Sequence, residues 1–83
     1  MNEVTVYTME SCPYCVAAKS LLTQRGIAFK EILLSQRDDA AWSKLIARSG
    51  LRTVPQIFAG ERLIGGFSDL SKLDQQDRLV SIK

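Results

Sequence analysis

Apolar and polar positions along this chain fall into short blocks, each with its own period. Val4-Thr5-Val6-Tyr7-Thr8 is β-branched or aromatic throughout, as a strand requires. Met9-Glu10-Ser11 is a short connection. From Pro13 to about Arg25 apolar residues return at helical spacing, with Cys15, Ala18 and Leu22 on one face and Leu21 beside them. Pro13 suits a first helical position, where its missing N–H would have had no partner. Gly26 stands where a helix-ending glycine belongs. Ile27 to Leu34 reads as a second strand. The polar run Ser35-Gln36-Arg37-Asp38-Asp39 ends in capping residues. Trp42, Leu45, Ile46 and Ser49 then share a face of a second helix that stops at Gly50. Beyond Leu51-Arg52-Thr53-Val54-Pro55, Gln56 to Ala59 is a third strand. Gly60-Glu61 is a turn, and Arg62-Leu63-Ile64 a short fourth strand. Gly65-Gly66 breaks the sheet, and Ser68-Asp69 opens a last helix with Leu70 and Leu73 inward.

The order is strand, helix, strand, helix, hairpin, helix. The first three elements make a βαβ unit, whose crossover is expected to be right-handed. The last two strands are near enough in sequence to pair antiparallel. The fold class is therefore α/β, a mixed four-stranded sheet flanked by helices. With 83 residues the chain fills one domain, 1–83. A domain of this size buries roughly 60% of the surface of its unfolded chain. Apolar residues make up 46% and charged residues 24%, an ordinary globular balance.

Charge narrows the partners. A net charge of +2, with basic residues spread from Lys19 to Lys83 and no run among them, argues against nucleic acid. No apolar stretch is long enough to span a bilayer, so no membrane association is expected. Met1-Asn2-Glu3-Val4-Thr5 has neither the basic head nor the apolar run of a secretory signal, which places the expected location in the cytoplasm.

The candidate chemistry is that of thiols. There are two cysteines, Cys12 and Cys15, and no histidine. A structural zinc site takes four ligands, which this pair cannot supply, so no metal is expected. Cys12-Pro13-Tyr14-Cys15 follows a strand and opens a helix within a βαβ pattern, where a C-x-x-C reads as a redox motif. Residues three apart on a helical turn have Cβ atoms roughly 5–6 Å apart, and a disulfide wants about 3.5–4.5 Å. Cys12 lies at the helix entrance, where its backbone can adjust to close that gap. The nucleophile must be a thiolate, which a helix N-terminus favours. Pro13 has no N–H, so the donors within reach of Cys12 are the backbone N–H groups of Tyr14 and Cys15 and the Cys15 thiol. Cys12 is the exposed attacker; Cys15, half turned into the core, is the resolving thiol.

Three motifs together, Cys12-Pro13-Tyr14-Cys15, Thr53-Val54-Pro55 and Gly65-Gly66-Phe67-Ser68-Asp69-Leu70, resemble those of the glutaredoxins, closest to the short bacterial dithiol, glutaredoxin-3-like type. The resemblance implies a thioredoxin-like fold and glutathione as co-substrate, with glutathionylated or disulfide-containing proteins as partners and a monomeric state. It implies that Pro55 is cis and faces the active cysteine, and that Val54 pairs with the cysteinyl unit of glutathione. On the residues alone Pro55 reads as an ordinary trans proline, since an X-Pro bond is cis about 5–6% of the time. An extended Val54 is consistent with offering its backbone to a peptide. Gly66, Phe67, Ser68 and Asp69 would hold the γ-glutamyl end at a helix N-terminus, a ready site for an anion. Tyr14 either flanks the tripeptide or packs on its helix. Arg52 either pairs with a carboxylate or is a solvated charge. Thr53 completes the loop and, by the same resemblance, is expected among the residues that bind glutathione.

Three positions depart from the family pattern. Met9 stands where many members carry a lysine that helps hold the glycyl carboxylate. Trp42 stands where some have a polar contact to the same group, and Phe67 where many have a third cysteine. Two further readings compete with a glutathione-dependent enzyme. One is an electron donor recharged by thioredoxin reductase, which would need no Gly65-to-Leu70 pocket. The other is an iron–sulfur carrier sharing a cluster between subunits, which Pro13-Tyr14-Cys15 disfavours relative to the Gly-Phe-Ser of such members.

Overall fold

A computed structural model describes residues 3–35 and 37–76. Met1, Asn2, Gln36 and Lys83, used in the sequence reading, lie outside the described residues. The elements are β1 (Val4–Met9), α1 (Pro13–Gln24), β2 (Phe29–Leu34), α2 (Asp39–Ser49), β3 (Gln56–Ala59), β4 (Arg62–Gly65) and α3 (Phe67–Gln75). The strands form one four-stranded sheet in the order β2-β1-β3-β4. β1 runs parallel to β2, and β3 pairs antiparallel with both β1 and β4. This is the mixed α/β architecture expected.

The alternation within β1 and β3 divides the core between the two faces of the sheet. Val4 and Val6 of β1, with Ile57 and Ala59 of β3, join Ala18 and Leu22 of α1 and Leu70 of α3 in one cluster. Phe58 packs on the other face with Leu34 and with Leu45 of α2, flanked by Tyr7, Met9 and Trp42. All four residues of β3 are buried, which is why that strand reads as an unbroken apolar run with a single polar member. Arg48 closes the second face, its guanidinium carbon 4.2 Å from the centre of the Phe58 ring.

The helix ends follow local rules. Asp38 caps α2, its carboxylate accepting from the Ala41 N–H at 3.1 Å. Gly50 ends α2 in the left-handed region, at φ 75°. Ile27 differs from expectation. It is buried but precedes β2, and its N–H donates to the Leu22 carbonyl at 2.9 Å. Its apolar side chain thus closes the end of α1 rather than beginning a strand. The ion pair of Arg25 with Asp74, 2.7 Å long, ties that same end of α1 to α3.

Leu22 is fully buried where α1 meets the sheet. Truncation there removes packing and leaves a cavity, and such changes cost about 2–5 kcal/mol. Leu22→Ala is therefore expected to lower the urea unfolding midpoint by a corresponding amount. An unchanged midpoint would contradict this packing.

Candidate active site

The sheet places the sequence motifs at one end. β1 delivers Cys12 at its C-terminal end. The antiparallel β3 starts beside it, with Tyr7 paired to Gln56, so Thr53-Val54-Pro55 lies next to the end of β1. β4, antiparallel again, returns to the same end, with Gly65 opposite Ile57. Gly65-Gly66 and the start of α3 follow there.

Cys12 is the N-cap of α1, with φ −106° and ψ 103°. The preceding Ser11 turns the chain through a left-handed conformation, at φ 59°. The Cys12 Sγ accepts a hydrogen bond from the Cys15 N–H at 3.2 Å, so of the available donors this one stabilises negative charge on sulfur. Its thiol also faces the Val54 carbonyl, at 3.9 Å. Both cysteines are free thiols, Cys12 half-buried and Cys15 buried. Burial first, and then a hydrogen bond with Cys12, push the Cys15 thiol up to about 11 from 9.0, against the Met9 N–H and the charge of Lys19, which pull it down. One thiol is thus presented to a reactant while the other is held protonated.

The Val54–Pro55 peptide is cis. Beside it lies a cleft of about 340 Å³ lined by Tyr14, Thr53, Val54, Pro55, Gly66, Phe67 and Ser68. Most of the residues expected to contact a tripeptide are therefore brought together. Asp69 reaches the site indirectly: its Oδ2 accepts from the Gly66 N–H at 3.1 Å. The Asp69 carboxylate thereby fixes the entrance of α3, whose first-turn amides have no acceptor within the helix. A Cβ on Gly65 would run into that carboxylate, and one on Gly66 would come within 3.4 Å of the Pro55 carbonyl. Tyr14 is 66% exposed, with its ring centre 6.1 Å from that of Phe67, so it stands as a wall of the cleft. Arg52 is exposed at the start of the loop, outside the lining residues.

Two features escaped the sequence reading. Gln56 is fully buried, and its Nε2 donates to the carbonyls of Leu51 and Thr53 at 3.1 and 2.9 Å. It splints the loop that carries Val54. A polar residue opening an otherwise apolar strand was the only signal. The second feature is an acid–base cluster of Lys19, Glu31 and Thr8 near Cys15, which no spacing along the chain reveals. The departures also find their places. Met9 and Trp42 pack against the Phe58 cluster, and Trp42 Nε1 donates to the Ser35 carbonyl at 3.2 Å.

An accessible cysteine at a helix N-terminus, a buried partner three residues on and a facing cis-proline loop define a thiol–disulfide oxidoreductase of thioredoxin-like fold. The family model for glutaredoxin matches residues 4–64. Glutaredoxin 3 of Escherichia coli K12 is 44% identical over 79 residues, covering 95% of this chain and 94% of that protein. A glutaredoxin of Neisseria meningitidis is 42% identical, covering 95% and 93%. Among solved structures, a buckwheat glutaredoxin–glutathione complex aligns with a TM-score of 0.88 at 32% identity, over 98% of this chain and 76% of that one. The glutaredoxin of Brucella melitensis aligns with a TM-score of 0.84 at 40% identity, over 99% and 88%. This chain belongs to the glutaredoxin family.

The two thiols should separate on alkylation. At pH 7 one equivalent of iodoacetamide is expected to modify Cys12 and leave Cys15 unmodified. In denatured protein Cys15 reacts as an ordinary thiol; in folded protein its labelling rises only as pH approaches about 11, because the proton must leave before the sulfur reacts. Mass spectrometry of the peptides checks this, and equal labelling of both residues in folded protein at pH 7 would contradict it.

Proposed function

We propose that this protein reduces glutathione mixed disulfides and protein disulfides with glutathione as co-substrate, through Cys12 and Cys15. The observation that carries the reading is the position of the Cys12 sulfur, which faces at 3.9 Å the carbonyl of Val54, a lining residue of the Tyr14–Val54–Phe67 cleft. A buckwheat relative of the same fold, solved with glutathione, supports the choice of ligand.

Glutathione is a tripeptide with one thiol and two carboxylates, and the cleft offers complements to each part. The backbone of Val54 pairs with the cysteinyl unit, as an added strand would. The γ-glutamyl carboxylate sits at the first turn of α3, where Phe67 and Ser68 present amides and Asp69 holds Gly66 in place. Thr53 and Pro55 shape the floor, and Tyr14 covers the sulfur. Arg52, exposed beside the loop, draws the glycyl carboxylate in place of the lysine that Met9 replaces.

The chemistry then runs in two routes. With a glutathionylated substrate, the Cys12 thiolate attacks the glutathionyl sulfur. A Cys12–glutathione disulfide forms, the substrate–sulfur bond breaks, and the substrate thiolate leaves and takes a proton from water. A second glutathione thiolate attacks the glutathionyl sulfur, releasing oxidised glutathione and the Cys12 thiolate. With a protein disulfide, Cys12 forms a mixed disulfide with one sulfur and the other leaves as a thiolate. Cys15 then attacks Cys12, the second substrate sulfur leaves, and two glutathiones reduce the Cys12–Cys15 disulfide. The protein acts as a monomer in the cytoplasm and needs no metal in either route.

Cys12→Ser is expected to abolish both activities. Cys15→Ser is expected to retain deglutathionylation and lose protein-disulfide reduction. Turnover of a glutathionylated small disulfide, coupled to glutathione reductase and separately to thioredoxin reductase, measures this. Coupling to thioredoxin reductase alone, or a Cys15→Ser variant as inactive as Cys12→Ser with the glutathionylated substrate, would overturn the reading.

A further inference from the structure

Behind Cys12 lies a second cavity, of about 550 Å³, which shares no lining residue with the glutathione cleft. Cys12, Cys15, Lys19 and Glu31 all line it. Cys15 and Lys19 are four residues apart on α1, so their side chains occupy one face of the helix. The Lys19 ammonium is not left to wander. Glu31 Oε2 holds it at 2.9 Å. The same oxygen accepts from the buried Thr8 hydroxyl at 2.7 Å. The parallel register makes this possible: Val6 pairs with Glu31 and Thr8 with Leu33, so Thr8 and Glu31 are diagonal neighbours on the α1 side of the sheet.

Among the described residues, the charged and titratable groups lining the cavity around Cys15 are few. Cys12 stands at the helix entrance, Lys19 on α1, Glu10 on the turn after β1 and Glu31 on β2. β1 adds the Met9 N–H. α3, also packed on α1, brings Leu70 to the shared core, and its Asp74 is bound to Arg25 at the far end of α1. Among the described residues Lys19 is thus the cation of this group, and the Thr8–Glu31 pair fixes where it sits.

We propose that Lys19, tethered by Glu31 and Thr8, is a positioning residue for the resolving step, supporting negative charge on Cys15 as that thiol attacks Cys12. This rests on the two-cysteine route described above. In the step itself the Cys15 proton goes to water in the cavity. The Cys15 sulfur bonds to the Cys12 sulfur, the bond from Cys12 to the substrate breaks, and the substrate sulfur leaves with the electron pair and is protonated by water. No other oxidant or reductant enters. Burial of Cys15 makes its thiolate scarce, and the Lys19 charge opposes that cost. The cluster therefore acts on one of the two thiols: the attack of Cys12 on its substrate is served by the helix entrance, and the release of that substrate by Lys19.

The test follows formation of the Cys12–Cys15 disulfide in a single turnover. Reduced protein is mixed with a protein disulfide, quenched with acid at intervals and read by mass spectrometry from pH 6 to pH 10. Burial holds the Cys15 thiol at about 11, above this window, so in the unsubstituted protein the rate of closure climbs with pH throughout. Lys19→Gln is expected to displace that profile up by about 0.5–1 pH unit, slowing closure about 3- to 10-fold at each pH. Lys19→Arg is expected to restore the profile, and added salt to shrink the difference. An unmoved profile in Lys19→Gln, or a slowing that neither Lys19→Arg nor salt changes, would overturn the proposal. Failure of the unsubstituted protein to form the Cys12–Cys15 disulfide would instead overturn the two-cysteine route on which it rests.

Discussion

The antiparallel pairing of β1 with β3 is the constraint on which the site depends. β1 ends where Cys12 begins, and antiparallel partners place the end of one strand beside the start of the next. Tyr7 opposite Gln56 therefore fixes Thr53-Val54-Pro55 against the helix entrance. The second antiparallel step, from β3 to β4, carries the chain back to the same end and releases it at Gly65-Gly66. A one-residue slip in either pairing would exchange the two faces of a strand. The separate clusters around Leu22 and around Phe58 oppose such a slip.

Around that frame each thiol has its own environment. Cys12 caps a helix, with the Cys15 N–H donating to its sulfur. Cys15 is held in the core, and burial keeps its proton on. A shared helical turn thus serves opposite purposes at positions three residues apart. The Val54–Phe67 cleft, proposed for glutathione, lies on one flank of Cys12 and the Lys19 cavity on another. In the proposed mechanism the incoming and resolving halves of disulfide exchange are handled by different residues.

Much of this was legible in the chain. The bounds of β3 follow directly from the apolar run after Pro55 and the Gly60-Glu61 turn, and the faces of α1 and α2 from helical spacing. Ile27 misled because one buried apolar residue fits both a strand and a helix closure, and only the Leu22 carbonyl it binds distinguishes them. α3 begins at Phe67, before Ser68-Asp69, since extended Gly66 takes the capping place. The cis state of Pro55 was implied by resemblance, not by residue type. Gln56 and the Thr8–Glu31–Lys19 cluster were hidden for a common reason. Their partners are set by loop path and strand register, which no local pattern encodes.

The most direct measurement is a map of backbone amide shifts in a Cys15→Ser protein before and after glutathionylation of Cys12, taken by two-dimensional NMR. A tripeptide seated in the cleft should shift the amides of Val54, Phe67 and Ser68 along with those of the helix entrance. The amides of Lys19 and Glu31, in the second cavity, should shift far less. Shifts confined to the first turn of α1, or centred on Lys19 and Glu31, would contradict the assignment of the Val54–Phe67 cleft to glutathione.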